Sequence, residues 1–104
     1  MKLIILCKQP EDPATFDQAY FETHIPLIRK VPGLEKLTIS RVTRNLTGEG
    51  YYLMAELYFA DQDNLRTAMI SPEMTAAGEN LNSLADGLVT MLFTDEVANV
   101  ARGM

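Results

Sequence analysis

The chain has 104 residues, 47% of them hydrophobic and 22% charged, with a formal net charge of −5. This length gives room for one core, so we expect a single domain over residues 1–104. The nine basic residues are scattered, no basic face is visible for binding nucleic acid or an anionic membrane, and no apolar run approaches the roughly 20 residues of a membrane span.

The chain begins with a short aliphatic run, Leu3 to Cys7, which predicts a buried first strand. The run is too short for a secretory signal, and Lys8 follows it where a small-residue cleavage site would be expected. The single cysteine cannot form an internal disulfide, so nothing favours an oxidising compartment. We therefore expect a cytoplasmic protein.

A long first helix is predicted next. Asp12 is a typical N-cap and Pro13 a typical first helical residue, and the apolar period then continues to about Val31. Pro26 removes one hydrogen bond from this helix. Because apolar residues recur beyond it, we expect Pro26 to kink the helix without ending it.

Residues 34–44 predict a second strand, and the turn-rich residues 45–50 predict a hairpin loop. The third strand, residues 51–60, is largely apolar or aromatic on both of its faces. An antiparallel strand with one solvated face would instead alternate apolar and polar residues. Both faces of the sheet are therefore expected to be covered.

Two helical segments follow at residues 61–70 and 72–85, then a last strand at 88–94 and a tail without a strong signal. This order predicts an α+β fold of the ferredoxin-like βαββαβ type, with a four-stranded antiparallel sheet and both helices on one face. The other face needs a partner. We expect a homodimer that packs sheet on sheet and forms a dimeric α+β barrel.

The chain has one histidine, His24, which falls near the middle of the apolar arc of the first helix. Tyr20 lies one turn before it, and Phe16 and Leu27 share the arc. Modest changes of environment move a histidine pKa across neutrality, so His24 with Tyr20 is a candidate acid–base pair, with Phe16 and Leu27 lining its pocket. In the alternative, His24 only fills space in the core and bonds a backbone carbonyl.

Glu56 is the one charged residue among the apolar and aromatic neighbours of its strand face, which include Tyr52. A buried carboxylate needs a partner, and Arg41 on the neighbouring strand is a candidate. Tyr52, Arg41 and Glu56 are therefore candidate substrate-binding residues. Alternatively, Glu56 and Arg41 form a salt bridge in the dimer interface.

One histidine and one distant cysteine provide no usual zinc or iron ligand set within a protomer. The sequence also contains no glycine-rich phosphate loop and no nucleophile elbow. We expect no metal and no bound cofactor, so that catalysis would be cofactor-free acid–base chemistry or would depend on a cofactor that brings its own binding contacts.

Several segments, in their order and spacing, resemble the EthD family. They are Phe16, Tyr20-Phe21 and His24-Ile25-Pro26-Leu27 with Pro32-Gly33-Leu34, then Tyr51-Tyr52, Ser71-Pro72-Glu73-Met74, Ala76-Ala77-Gly78-Glu79 and Thr90-Met91-Leu92-Phe93. Where many members have an aspartate after the Ala-Ala-Gly segment, this chain has Asn80.

The resemblance implies the dimeric α+β barrel fold. The family is named for an association with the degradation of an ether, and the wider superfamily includes cofactor-free monooxygenases, lactone isomerases and polyketide cyclases. The resemblance thus implies a pocket at Tyr20 and His24 for a small, apolar, oxygen-containing molecule. Two functions stay open, because a fold does not fix a reaction: an enzyme that uses His24, or a non-catalytic binding or accessory protein of a degradation pathway.

Overall fold

A computed structural model describes residues 1–101 as an α+β fold. Its strands are β1 (Lys2–Cys7), β2 (Lys36–Arg41), β3 (Leu53–Tyr58) and β4 (Val89–Thr94). Its helical segments are α1 (Pro13–Ala19), a π-helical turn (Tyr20–His24), α2 (Ile25–Ile28), α3 (Gln62–Met69) and α4 (Pro72–Ala85). The last three positions of the expected domain and tail, 102–104, lie outside the described residues. No helix within residues 1–101 is long and apolar enough to cross a bilayer.

The four strands form one antiparallel sheet in the order β2-β3-β1-β4. In its register, Ile5 of β1 lies opposite Ala55 of β3 on one side and Met91 of β4 on the other. Side chains alternate between the faces of a strand, so these three share the face that packs on the helices. The order and pairing confirm the predicted ferredoxin-like βαββαβ fold.

The first helix contains a π-helical turn that the sequence did not reveal. The backbone N–H of Ile25 donates to the carbonyl of Tyr20, five residues earlier, and the next residue is Pro26, which has no N–H to donate. As predicted, the helix continues beyond Pro26, although it ends at Ile28 instead of about Val31.

The π-helical turn changes which side chains face the sheet. Phe16, Tyr20, His24 and Ile28 are all buried, at intervals of four residues. In an α-helix, four residues rotate by about 400°, so such positions drift around the helix by about 40° per step. The wider turn slows this drift and keeps His24 on the buried face. Phe21, which a regular helix places in the apolar arc, is 46% exposed.

The face of the sheet that points away from the helices carries both apolar and charged groups. Ile4, Leu6 and Met54 are buried or half-buried there by their neighbours within the sheet, and Leu92 on β4 is 40% exposed. Glu56 lies on the same face. This second face, which we call the open face, has no helix over it within residues 1–101.

Candidate functional site

A cavity of about 230 Å³ lies between α4 and the helix-covered face of the sheet. The sheet contributes aliphatic and methionine side chains to its wall, and the middle of α4 contributes the opposite side. Its described lining consists of Leu3, Ile5, His24, Ile28, Leu57, Met69, Met74, Thr75, Ala77, Gly78, Leu81 and Met91. His24 and Thr75 are the polar side chains of this lining, which is otherwise apolar.

The imidazole of His24 is 2% exposed and is held from one side by α4. Its Nδ1 lies 3.0 Å from Oδ1 of Asn80, while its Nε2 is buried with no hydrogen-bond partner in the described structure. Burial lowers the pKa of His24, and the hydrogen bond with Asn80 opposes this shift without reversing it. His24 is therefore neutral at pH 7, and one of its ring nitrogens has no hydrogen-bond partner among the described residues.

Tyr20 packs against this imidazole and is not one of the residues that line the cavity. Its ring centroid lies 5.0 Å from that of His24, and the side chain is 1% exposed. Burial raises the pKa of the Tyr20 hydroxyl, and burial also raises the pKa of the nearby Cys7 thiol to about 11. Both groups stay protonated at neutral pH. The structure gives Tyr20 a packing contact with the His24 ring and no contact with the cavity.

Phe16, Tyr52 and Arg41 meet in a different place, near the N-terminal part of the first helix. The ring of Phe16 stacks on Tyr20 at 5.4 Å and meets the edge of Tyr52 at 5.9 Å. Asp17 joins this cluster, since both its oxygens lie 2.9 Å from the Tyr52 hydroxyl and accept from the Arg41 guanidinium at 3.2 and 3.1 Å. None of these three predicted binding residues borders the cavity.

The expected Glu56–Arg41 pair is not formed. Glu56 accepts hydrogen bonds from Lys2 at 3.0 Å and from Thr38 at 3.2 Å, and the bond from Lys2 lowers its pKa. The reason lies in the register: Arg41 pairs with Leu53 and so faces the helices, whereas Glu56 points to the open face. These two candidates therefore lie on opposite sides of the sheet.

Leu27, the remaining candidate, lies beside Pro72 in a shallow surface groove outside the cavity. Of the seven residues singled out in the sequence, His24 alone lines the cavity. The sequence showed Asn80 only as a departure from the family pattern, and its contact with His24 was missed because the two residues lie 56 positions apart. Sequence reasoning also missed Gly78, for which a signal exists: glycine inside a helix costs about 1 kcal/mol relative to alanine and so needs a reason.

No group of three or more His, Cys, Asp or Glu side chains within residues 1–101 is placed to hold a metal ion. The described cavity lining contains no charged side chain. In this arrangement, Nε2 of His24 could accept a hydrogen bond, or it could accept a proton and give it back.

Solved structures under 25% identical to this chain share the fold. A dimeric protein of ferredoxin-like fold from Bacteroides fragilis is 20% identical, covers 88% of this chain and 90% of its own, and superposes with a TM-score of 0.62. A protein described as an antibiotic biosynthesis monooxygenase is 16% identical, with coverage of 93% and 98% and a TM-score of 0.64. Ferredoxin-like proteins from Jannaschia and Thermobifida fusca are likewise described as dimeric.

More similar proteins identify the family. An uncharacterized 11.0 kDa protein of the thcB-thcC intergenic region of Rhodococcus erythropolis is 35% identical over 97 residues, which are 91% of this chain and 93% of that protein. The ethyl tert-butyl ether D (EthD) family protein of Bacillus halodurans is 41% identical, covers 92% of this chain and 97% of its own, and has a TM-score of 0.86. The EthD domain model matches residues 8–88, so the chain belongs to the EthD family, as its sequence motifs predicted.

Proposed function

We propose that the protein binds a small, apolar, oxygen-containing molecule in the cavity beneath α4, and that His24 acts on this molecule as a general acid or base. One observation carries the proposal: a buried imidazole at the wall of an apolar cavity has a nitrogen with no partner. Buried polar atoms are nearly always hydrogen-bonded in folded proteins, so an exception asks for an explanation. A ligand that bonds Nε2 provides one.

The size of the cavity limits the size of the ligand. Its volume is about 230 Å³. An apolar cavity of about 150 Å³ holds benzene, and pockets for drug-sized molecules begin at about 300 Å³. The volume therefore fits a molecule with a single ring and a few further atoms.

Gly78 supports a binding role for the cavity. It lies in the interior of α4 and lines the cavity, and a Cβ added there would meet nothing within 4 Å. No close contact therefore demands glycine at this position, and an alanine would favour the helix. We interpret Gly78 as keeping space for a ligand at a cost in helix stability.

The proposed reaction uses the neutral form of His24. Nε2 takes a proton from an O–H or activated C–H group of the ligand, and the resulting imidazolium keeps its Nδ1–H bond to Asn80. The same nitrogen then returns the proton to another atom of the ligand, so that the net change is a proton shift. Tyr20 supports the ring by packing and so takes the orienting role.

The alternative is a binding or accessory protein without chemistry of its own. A specific observation favours it: His24 is the one ionisable side chain in the described lining, whereas proton-transfer enzymes often use two groups of separated pKa. A buried acceptor in an apolar cavity is sufficient to hold a ligand.

We also propose that two copies pack open face to open face and form a dimeric α+β barrel in the cytoplasm. The apolar residues of the open face and the dimeric state of several structural relatives support this assembly. Obligate interfaces of this kind bury upwards of about 2,000 Å² in total.

Capture of metabolites from a cell extract tests the proposed function. The purified protein is expected to retain a small apolar compound, and Gly78→Leu, which fills the cavity, is expected to lose it. Asn82→Leu is the matched control, because it adds the same side chain at an exposed position of α4. Equal capture by the wild type and Gly78→Leu would contradict binding in the cavity.

The captured compound then separates the two functions. For an enzyme, the wild type converts the compound and His24→Gln binds it without converting it. For a binding protein, neither changes the compound.

A further inference from the structure

We infer that Asn80 fixes the tautomer of His24, so that the cavity selects neutral molecules that donate a hydrogen bond, namely single-ring compounds with a hydroxyl group. This inference rests on the proposed function and deepens it, because it names the class of ligand. In it, Asn80 is a positioning residue that acts through His24.

The first step is the geometry of the hydrogen bond. In the orientation that the structure gives the Asn80 amide, Oδ1 lies 3.0 Å from Nδ1 of His24. An amide oxygen only accepts hydrogen bonds, so this orientation places the hydrogen of the neutral imidazole on Nδ1. Nε2 then has a lone pair and no hydrogen. A carboxylate at position 80 would instead favour the imidazolium, which donates from both nitrogens. The amide thus keeps the ring both neutral and oriented.

The second step concerns the rest of the lining. The hydroxyl of Thr75 donates to the backbone carbonyl of Ser71 at 3.3 Å, so its hydrogen is already engaged. The side chains of the described lining therefore offer a ligand acceptors and no free donor: the acceptors are the oxygen of Thr75 and Nε2 of His24, and Nε2 has no other hydrogen-bond partner.

The third step is the match between ligand and acceptor. The oxygen of an ether or a ketone can only accept, so next to Nε2 two lone pairs would face each other and both would stay unpaired. A hydroxyl group satisfies Nε2. Charged ligands are disfavoured as well, because the described lining contains no charged side chain that would compensate their loss of hydration.

Three probes of one ring size test the inference: phenol, its methyl ether anisole, and toluene. Long-range ¹H–¹⁵N NMR spectra report which imidazole nitrogen carries the hydrogen, and the chain has a single histidine, so the assignment is unambiguous. We expect a protonated Nδ1 in the free protein and a shift of the Nε2 resonance on addition of phenol. We also expect phenol to bind at least about tenfold more tightly than anisole or toluene, because a site built around a hydrogen bond rejects analogues that cannot make it.

Substitutions of Asn80 test whether this residue fixes the tautomer of His24. In Asn80→Leu, the tautomer is no longer fixed, and the preference for phenol over toluene should fall several-fold while toluene binding is retained. In Asn80→Asp, the imidazole should stay protonated to higher pH, which the same NMR signals report. Asn82→Leu should behave as the wild type. An unchanged tautomer and an unchanged preference in both Asn80 variants would overturn the role of Asn80.

The outcomes separate this inference from the proposed function. Hydrogen on Nε2 in the free wild type overturns the inference, and this spectrum needs no variant. If toluene binds and phenol has no advantage over anisole, the cavity binds ligands but the inferred class is wrong. If none of the three probes binds, the proposed function fails and the inferred ligand class fails with it.

Discussion

The rings of Tyr20 and His24 lie with their centroids 5.0 Å apart and their planes at 43°, one turn apart on the same helix. Both side chains are almost completely buried, yet only His24 lines the cavity. In the proposed site, Tyr20 therefore packs against the imidazole and His24 contacts the ligand. These two proposed roles lead to distinct expectations for the two residues.

Removal of the Tyr20 ring should cost far more stability than removal of its hydroxyl. Truncation of a buried aromatic side chain costs about 3–5 kcal/mol, so Tyr20→Ala should lower the free energy of unfolding in urea by this order. Tyr20→Phe should keep most of the stability and retain phenol binding. Loss of binding in Tyr20→Phe as complete as in Gly78→Leu would instead place the hydroxyl in the site.

The burial of His24 predicts a dependence of stability on pH. Its pKa is lowered in the folded state from the ordinary value of 6.5, so below pH 6.5 the unfolded chain binds the proton more readily. The contribution of His24 to stability is therefore complete above pH 6.5 and is lost as the pH falls toward the folded pKa. Between these two pKa values the free energy of unfolding should decrease by at most about 1.4 kcal/mol per pH unit.

Urea unfolding of the wild type and His24→Gln between pH 7.5 and pH 5.5 measures this effect. Glu56, whose pKa is lowered from 4.5, reduces the free energy of unfolding mainly at more acidic pH, and it does so in both proteins. The difference between the two proteins should therefore show the slope, and parallel curves would contradict a buried, neutral histidine.

The ion pair between Arg41 and Asp17 should contribute little to stability, and it should have no effect on ligand binding in the cavity. The Arg41 and Asp17 side chains are 40% and 32% exposed, and solvent screens such pairs to about 0–1 kcal/mol. Arg41→Gln is expected to change the free energy of unfolding by no more than this and to leave phenol binding unchanged. A tenfold loss of phenol affinity would show that the ligand reaches this cluster.

A charge on the open face should break the proposed dimer. Leu92 is 40% exposed in the single chain, so Leu92→Asp is tolerable in a monomer but would bury a carboxylate between two sheets. Sedimentation should show a dimer for the wild type and a folded monomer for Leu92→Asp. Val97→Asp, at a position 98% exposed, is the control. A wild-type monomer at micromolar concentration would contradict the dimer.

The order of the elements was predictable because the starts of the helices have local signals. Asp12 caps α1 and accepts from the backbone of Thr15, and Ser71 caps α4 in the same way with Met74. Such contacts span three residues, so the sequence contains all the information they need. The family motifs around His24 likewise lie within one segment.

The site was predictable only in part, because it depends on contacts across the fold. The π-helical turn sets the direction of His24, and its position cannot be derived from a regular period of about 100° per residue. Asn80 reaches His24 from another helix, and Arg41 and Glu56 are separated by the strand register. Contacts of this kind depend on how distant segments pack together, and they cannot be derived from one segment at a time.

A crystal of the protein soaked with phenol would show whether the cavity binds a hydroxyl group at His24. We predict electron density for one ring in the cavity, between α4 and the sheet, with the phenol oxygen about 2.7–3.2 Å from Nε2 of His24. An empty cavity under conditions where phenol is bound elsewhere, or a ring in the cavity whose oxygen points away from His24, would contradict the account.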